Sequence, residues 1–301
     1  GQRQVAATFD SAEAEACRRL VESAWDEDLG PAGDITSVAL VPAEQRGRAV
    51  IVARSAGVVA GLPAVGLVIA AGRSPGLRWD AWVDDGTAVA AGQGLASLTG
   101  PMRSILAAER IVLNFLQRLS GVATLTRRYV EAVSGRRARM YDTRKTTPGW
   151  RRLEKYAVRC GGGCNHRLGL SDAILIKDNH LAALKLGDRR QAVAEAIRRA
   201  RQFSDLPVEI EVDDLEQFDA ALAERPTIIL LDNMSPAMMR EAVQRRDRLA
   251  PAVELEASGG ISLTTVRAVA ETGVDRISVG ALTHSAPALD IALDYADDEH
   301  D

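Results

Sequence analysis

From residue 136 onward the sequence alternates short β-branched apolar runs with longer stretches of amphipathic helical spacing. That alternation restricts the fold more than any other feature, because strands separated by helices are joined by crossovers and pair in parallel. The runs are "ARMYD", "AILIKD", "PVEIEV", "TIILLDN", "VELEAS" and "DRISVGA", with helices expected at 189–203, 235–246 and 262–272. Six strands, or seven with one that carries no clear signal, fall short of the eight of a full barrel. The expectation is therefore an α/β protein whose second part is an incomplete or modified α/β barrel.

The earlier part reads differently. Residues 10–26 predict a helix, with Asp10 as cap, Glu13 three positions on, and Cys17, Leu20, Val21 and Ala24 at helical spacing. Short β-like stretches follow, punctuated by Gly and Asp turns, with one apolar helix at 62–71. Pro101 then opens a long helical pattern that reads as two helices broken near Ser120-Gly121, a hinge between domains. The expected division is an α/β sandwich domain at 1–118, a barrel domain at 119–285 and a C-terminal helix at 286–301 packing on the first. The tail "DYADDEHD" reads as a solvated, frayed end.

Composition removes whole classes of function. A formal net charge of -4 argues against a general nucleic-acid binder, which gathers a basic excess on one face. The longest weakly charged apolar run, 56–72, is broken by Gly and Pro and is short of the ~20 residues that span a bilayer. No segment resembles a signal peptide, and three cysteines are too few for a disulfide framework, so a cytoplasmic protein is expected.

The polar residues fall in one kind of place. Thr143-Arg144-Lys145 follows the first strand, Lys177 the second, Glu211 ends the third, Asp232 the fourth, Ser258-Gly259-Gly260 follows the fifth and Gly280-Ala281 the sixth. In a parallel barrel every carboxyl end opens on one face, so these positions should meet at one mouth. Arg144, Lys145, Lys155, Arg159, His166, Arg167, Lys177 and His180 form a cationic set without evident neighbouring carboxylates, which calls for an anionic ligand. Only four of the 37 cations are Lys, and three of those lie here, which suggests that a compact ammonium is wanted. Lys155 and Arg159 equally suit a solvated helix face. The turns "SGGIS" and "VGALTHS" can offer backbone N–H groups to a phosphate, and Glu211 with Asp232 can hold a hard cation such as Mg²⁺ or simply neutralise the cations. "CGGGCNH" brings Cys160, Cys164 and His166 close together, but the spacing fits no common zinc pattern. "VDDGTAVAAGQGL" has a carrier-hairpin cadence without an acceptor lysine, so it reads as a turn array.

At "DTRKTTPGWRRLEKYAVRCGGGCNHRLGLSDAILIKDNH" the sequence resembles the quinolinate phosphoribosyltransferases, and "EDLGPAGDITS", "AERIVLNFLQRLSGVAT", "EIEV", "LLDN", "EASGGIS" and "GVDRISVGALTHS" extend the resemblance over nearly the whole chain. The resemblance implies a decarboxylating transfer between quinolinate and phosphoribosyl pyrophosphate in NAD biosynthesis. It also implies a homodimer, or a higher oligomer built from it, in which one subunit's N-terminal domain covers its partner's barrel mouth. By the same resemblance Arg144, Lys145, His166, Arg167 and Lys177 would hold the two carboxylates and nearby phosphate. Glu211 and Asp232 would serve the ribose hydroxyls and Mg²⁺, Ser258, Gly259, Gly280 and Ala281 the 5′-phosphate, and Arg110 the neighbouring subunit's substrate. Read from the residues alone, a related transferase for another ring acid, a Schiff-base lyase using Lys177 and an inactive ligand-binding protein remain open.

Overall fold

The computed structural model describes residues 7–296; the tail beyond Ala296 lies outside the described residues. In chain order the elements are α1 (Ser11–Leu29), α2 (Ile35–Leu40), β1 (Arg46–Ala53), β2 (Gly57–Val58), α3 (Leu62–Ala70), β3 (Arg78–Ala81), β4 (Ala88–Val89), β5 (Gly94–Pro101) and α4 (Met102–Ala132). They continue as β6 (Arg139–Tyr141), α5 (Arg151–Cys160), β7 (Ile174–Ile176), α6 (Asp178–Ala183), α7 (Arg189–Phe203), β8 (Val208–Val212), α8 (Leu215–Glu224), β9 (Ile228–Asp232) and α9 (Pro236–Leu249). The last are β10 (Glu254–Ser258), α10 (Val266–Ala270), β11 (Arg276–Ser278), α11 (Ala281–His284) and β12 (Ile291–Ala296). These form two compact units: residues up to Arg127 with Lys145–Gly162 and the chain from Ala281 in one, and Arg128–Arg144 with Gly163–Gly280 in the other. The chain thus first passes between units within α4 and again at 144/145, 162/163 and 280/281, where boundaries at 118/119 and 285/286 were expected.

The first unit is built on an antiparallel sheet in the order β12-β1-β5-β3, with β2 and β4 as a separate pair. α1 starts at the expected capping box: Glu13 N donates to Asp10 Oδ1 at 2.9 Å and Asp10 N to Glu13 Oε2 at 2.8 Å. Its buried stripe of Cys17, Val21 and Trp25 packs on α3, and Trp25 Nε1 donates to Val68 O at 3.2 Å. α3 is the apolar 62–71 helix; the carboxylate of Asp85 accepts from Gly61 N and Leu62 N at its start and from the Tyr156 hydroxyl at 2.7 Å. The turn array at 83–95 therefore has a structural use. No described helix is long and apolar enough to cross a membrane.

Two expectations for this unit are corrected. α4 is one helix of 31 residues, not two broken at Ser120-Gly121. Ser120 and Gly121 are small because other chain segments come close: the Ser120 hydroxyl accepts from Ala60 N at 3.0 Å, and a Cβ at Gly121 would lie 2.1 Å from Pro287 O. The expected C-terminal helix at 286–301 is instead strand β12, whose Ile291 and Leu293 alternate inward while β12 pairs antiparallel with β1. The period is two, not 3.6.

The second unit is a six-stranded parallel sheet in the order β6-β11-β10-β9-β8-β7, as the βα alternation requires. β6 and β7 end the sheet and are not paired with each other. Cys164 adds a single parallel bridge to β6, with its N–H on Met140 O at 2.8 Å and Asp142 N on its carbonyl at 3.1 Å. This is the one piece of extended pairing that resembles the unplaced seventh strand. At the amino ends of β10 and β11 the wholly buried Arg246 is balanced by Asp275, which also accepts from Leu255 N at 2.8 Å.

Candidate active site

In the second unit the strand ends do collect the polar residues. Lys177, directly after β7, sends Nζ 2.6 Å from Glu211 Oε2 on β8. Asp232 closes β9, and Asn233, in the left-handed region at φ 52°, donates Nδ2 to Asp232 Oδ2 at 2.8 Å and its backbone N–H to Ser258 O at 2.9 Å. That approach explains the two glycines: a Cβ at Gly259 (φ 95°) would meet the Asn233 side chain at 2.2 Å, and Gly260 also has positive φ, 61°. Glu211, Asp232, Asp178 and Asp213 line one cavity of about 170 Å³ with Arg189 and Gln217. A larger open hollow of about 650 Å³ lies between α8 and α9, but it holds only helix-surface groups such as Arg245, already bridged to Asp219 and Glu241, and no strand-end residue. The smaller cavity has the chemistry.

Asp142, wholly buried at the end of β6, accepts from His166 N at 2.8 Å and from Asn165 Nδ2 at 2.6 Å, which sets the 165–167 segment beside Thr143 and Arg144. Burial and the neighbouring Arg144 guanidinium hold Arg167 below the usual arginine range, and its Nε is buried without a hydrogen-bond partner. Two guanidinium groups that raise each other's energy in this way are stabilised by an anion between them. This is the cationic half of the site.

Beneath it lies a cluster that the sequence reading missed. His166 Nε2 is 3.0 Å from Glu209 Oε2 and 3.5 Å from Glu256 Oε1; Arg276 Nε is 2.8 Å from Glu256 Oε2, and its guanidinium stacks 4.0 Å above the Tyr141 ring. The Glu256 oxygens lie close to His166 Nε2 and to the Arg276 guanidinium without a well-aligned hydrogen bond, so the Arg276 charge is what chiefly attracts them. Burial pushes the Glu209 carboxyl up; at Glu256 burial acts the same way, but the proximity of His166 Nε2 and of the Arg276 guanidinium outweighs it and holds the carboxyl down. For His166, burial draws the pKa down, but the hydrogen bonds and charges of the two glutamates outweigh it and lift it to about 9. Against that, Arg167 N–H donates to His166 Nδ1 at 2.8 Å, which requires an unprotonated Nδ1. A proton there would face the N–H directly, so we assign the neutral ring with its proton on Nε2, toward the carboxylates. The sequence signal for this cluster was present: Glu209 with Glu211, and Glu254 with Glu256, stand two apart on strands that should be continuously apolar.

Several expectations about the cations are corrected. Lys177 has Glu211 and His166 has Glu209 and Glu256, so the set is not without neighbouring carboxylates. Lys155 is buried rather than solvated, and Arg159 pairs with Glu13. Among the described residues the one group with metal-ligand geometry is His166, Glu209 and Glu256; Cys160 and Cys164 form no disulfide and lie outside it. His180 is exposed, its Nδ1 accepting from Lys177 N at 2.9 Å.

Three of the remaining predicted residues belong to the first unit. Arg110 is exposed on α4, Ala281 opens α11, and Lys145 is exposed with its backbone carbonyl accepting from the Thr283 hydroxyl at 2.8 Å. Gly280 is the last residue of the second unit. Thus Arg144, His166, Arg167, Lys177, Glu211, Asp232, Ser258 and Gly259 share the carboxyl-end side of one sheet.

Comparison with known proteins identifies the family. The family model described as quinolinate phosphoribosyl transferase, C-terminal domain, matches residues 122–294, and that for the N-terminal domain matches residues 34–120. A relative from Mycobacterium leprae (strain TN), named nicotinate-nucleotide pyrophosphorylase (carboxylating), is 48% identical over 284 residues, covering 94% of this chain and 98% of the relative. One from Bacillus subtilis (strain 168), named a probable nicotinate-nucleotide pyrophosphorylase (carboxylating), is 42% identical over 283 residues, covering 92% of each. The solved structure of the nicotinate-nucleotide pyrophosphorylase from Francisella tularensis superposes with a TM-score of 0.87 at 36% identity, over 97% of this chain and 100% of the other. With both family domains matched in order and relatives of this identity aligned nearly end to end, the chain belongs to the quinolinate phosphoribosyltransferase family.

Proposed function

We propose that this protein joins the ring nitrogen of quinolinate to C1′ of 5-phosphoribosyl 1-pyrophosphate, releasing pyrophosphate and CO2 and leaving nicotinate mononucleotide, a step of NAD biosynthesis carried out in the cytoplasm. The observation that carries this reading is the juxtaposition of Arg144 with Arg167, two mutually repelling guanidinium groups suited to a diacid, in a chain whose relatives carry this activity by name. Arg144, Arg167 and Lys145 bind and orient the two carboxylates, with His166 holding Arg167 from below through its backbone N–H. The Ser258-Gly259-Gly260 turn, with Gly280 and Ala281, receives the 5′-phosphate through backbone N–H groups. As the C1′–O bond breaks, negative charge grows on the departing pyrophosphate, and Lys177 and the arginines stabilise it. The adjacent cationic nitrogen then stabilises, as an ylide, the electron pair left on C2 when the 2-carboxylate departs as CO2, and a proton taken up from solvent at C2 completes the nicotinate ring, so no covalent lysine adduct is needed.

The acidic cavity fits Mg²⁺, because Glu211 and Asp232, with Asp178 and Asp213 beside them, are oxygen donors of the kind this ion takes. Bound there, Mg²⁺ would screen the charge of the pyrophosphate. The Lys177–Glu211 ion pair speaks against a Schiff-base role for Lys177, since the ammonium is already engaged by a carboxylate. We further propose a homodimer with shared sites, to which Arg110 contributes across the interface; the exposed apolar side chains of Ile35, Val38 and Leu40 on α2 support association.

The test is direct. Protein supplied with quinolinate, phosphoribosyl pyrophosphate and Mg²⁺ should release CO2 and form the mononucleotide, and nicotinate should not replace quinolinate. Turnover of nicotinate without CO2, or binding of quinolinate without pyrophosphate release, would overturn this reading.

A further inference from the structure

Glu154 on α5 is wholly buried, and a carboxylate is costly there unless several donors meet it. Arg118 of α4 supplies Nε and Nη2 to Oε1 at 3.2 and 2.6 Å, the Thr147 hydroxyl reaches the same oxygen at 2.9 Å, and Thr147 N donates to Oε2 at 3.1 Å. Arg118 also donates Nη1 to Ala286 O at 3.0 Å and Nη2 to Thr283 O. Thr283, buried in α11, closes the ring by donating its hydroxyl to Lys145 O at 2.8 Å. The backbone is therefore held at 145 by its carbonyl and at 147 by its N–H, on either side of Thr146, whose hydroxyl accepts from Arg151 Nε at 3.0 Å. Trp150, stacked on Phe115 with ring centroids 5.0 Å apart, ties down the far end of the loop. Simple cohesion would be met as well by apolar side chains of similar volume. An ion pair with a wholly buried carboxylate, and five further hydrogen bonds around the backbone on either side of one exposed lysine, does something more specific.

We propose that Arg118 and Glu154, acting through Thr147 and Thr283, are positioning residues that lock the loop bearing Lys145 to the Ala281–His284 turn. The separation between the Lys145 ammonium and the turn that follows Gly280 is thereby set before substrate arrives. This inference rests on the reading of Lys145 as a substrate cation. Pre-set geometry of this kind raises rate by removing the cost of ordering the donor, and small misplacements are expensive.

The experiment compares Thr283→Val, which removes the hydroxyl at nearly constant shape, Thr283→Ser, which keeps it, and Glu154→Gln, each in the full chain with and without Lys145→Ala. Thr283→Val and Glu154→Gln should lower kcat/KM for quinolinate by about tenfold or more, while Thr283→Ser recovers most of the loss. In the Lys145→Ala background Thr283→Val should have almost no added effect. Hydrogen exchange of the 143–150 backbone should be faster in Thr283→Val than in wild type, a readout independent of turnover. Unchanged exchange overturns the proposal whether or not the wild type is active; an equal loss with and without Lys145 also overturns it, in favour of plain structural support. Absence of turnover in wild type with faster exchange in Thr283→Val would leave the clamp standing and sink the assigned reaction instead. Should Glu154→Gln fail to fold, the Thr283 pair decides alone.

Discussion

Lys177 and Glu211 meet at 2.6 Å, so the cavity arms one cation and one acid against each other before any ligand binds. A phosphate or a metal ion would redistribute that pair, each taking one partner. Lys145→Ala and Glu211→Ala should each cost about 3 kcal/mol of transition-state stabilisation, roughly a hundredfold in rate, with melting temperatures near wild type; steady-state CO2 release checks this. The cysteines give a second residue-scale expectation. Burial pushes the Cys17 thiol up to about 12, and burial with the charge of Asp85 does the same at Cys160. A raised thiol pKa means almost no thiolate near pH 8, so a thiol reagent should label half-buried Cys164 in the native protein and all three cysteines only after unfolding. Mass spectrometry of the labelled protein counts them. The cationic residues were legible in the sequence, but their partners were not: Glu209 and Glu256 are 43 and 90 positions from His166, and only folding brings them within 3.5 Å.

At the level of elements, local patterns succeeded where one period dominates. The capping box of α1 and the strands β8 to β10 follow from short-range rules. Gly121 misled because propensity treats it as a breaker, whereas α4 runs through it and the chain at Pro287 presses against it. Gly121→Ala in an exposed helix would gain about 1 kcal/mol; here the added methyl meets a carbonyl, and we expect a net loss of about 1–3 kcal/mol, measured by chemical denaturation. α8 offers the opposite case, a purely local one. Asp214 caps it by accepting from Gln217 N at 2.7 Å; burial raises its carboxyl, but these bonds outweigh that and hold it below the usual carboxylate range. A lowered folded-state pKa stabilises above the unfolded value and is lost as pH falls through the folded one. Asp214→Ala should therefore cost about 1 kcal/mol near neutral pH and progressively less on acidification, which urea titrations at two pH values would show.

For the whole molecule, the sequence order of the elements is not the order of the compact units: α5 stands between β6 and β7 in the chain yet belongs to the antiparallel unit. If sites are shared across a dimer, mixing Arg110→Ala with Lys177→Ala protein should restore part of the activity that each lacks. No recovery despite demonstrated subunit exchange would argue that every site is built within one chain. The sequence by itself determined which residues end the strands, because short apolar runs and the turn residues that bound them are local signals, and parallel pairing then places those ends on one side. Tertiary structure alone decided which carboxylate answers which cation, that α4 continues through Gly121, and that Glu154 reaches Arg118. Those outcomes depend on burial and on distances between groups far apart in the chain, and no local period encodes either.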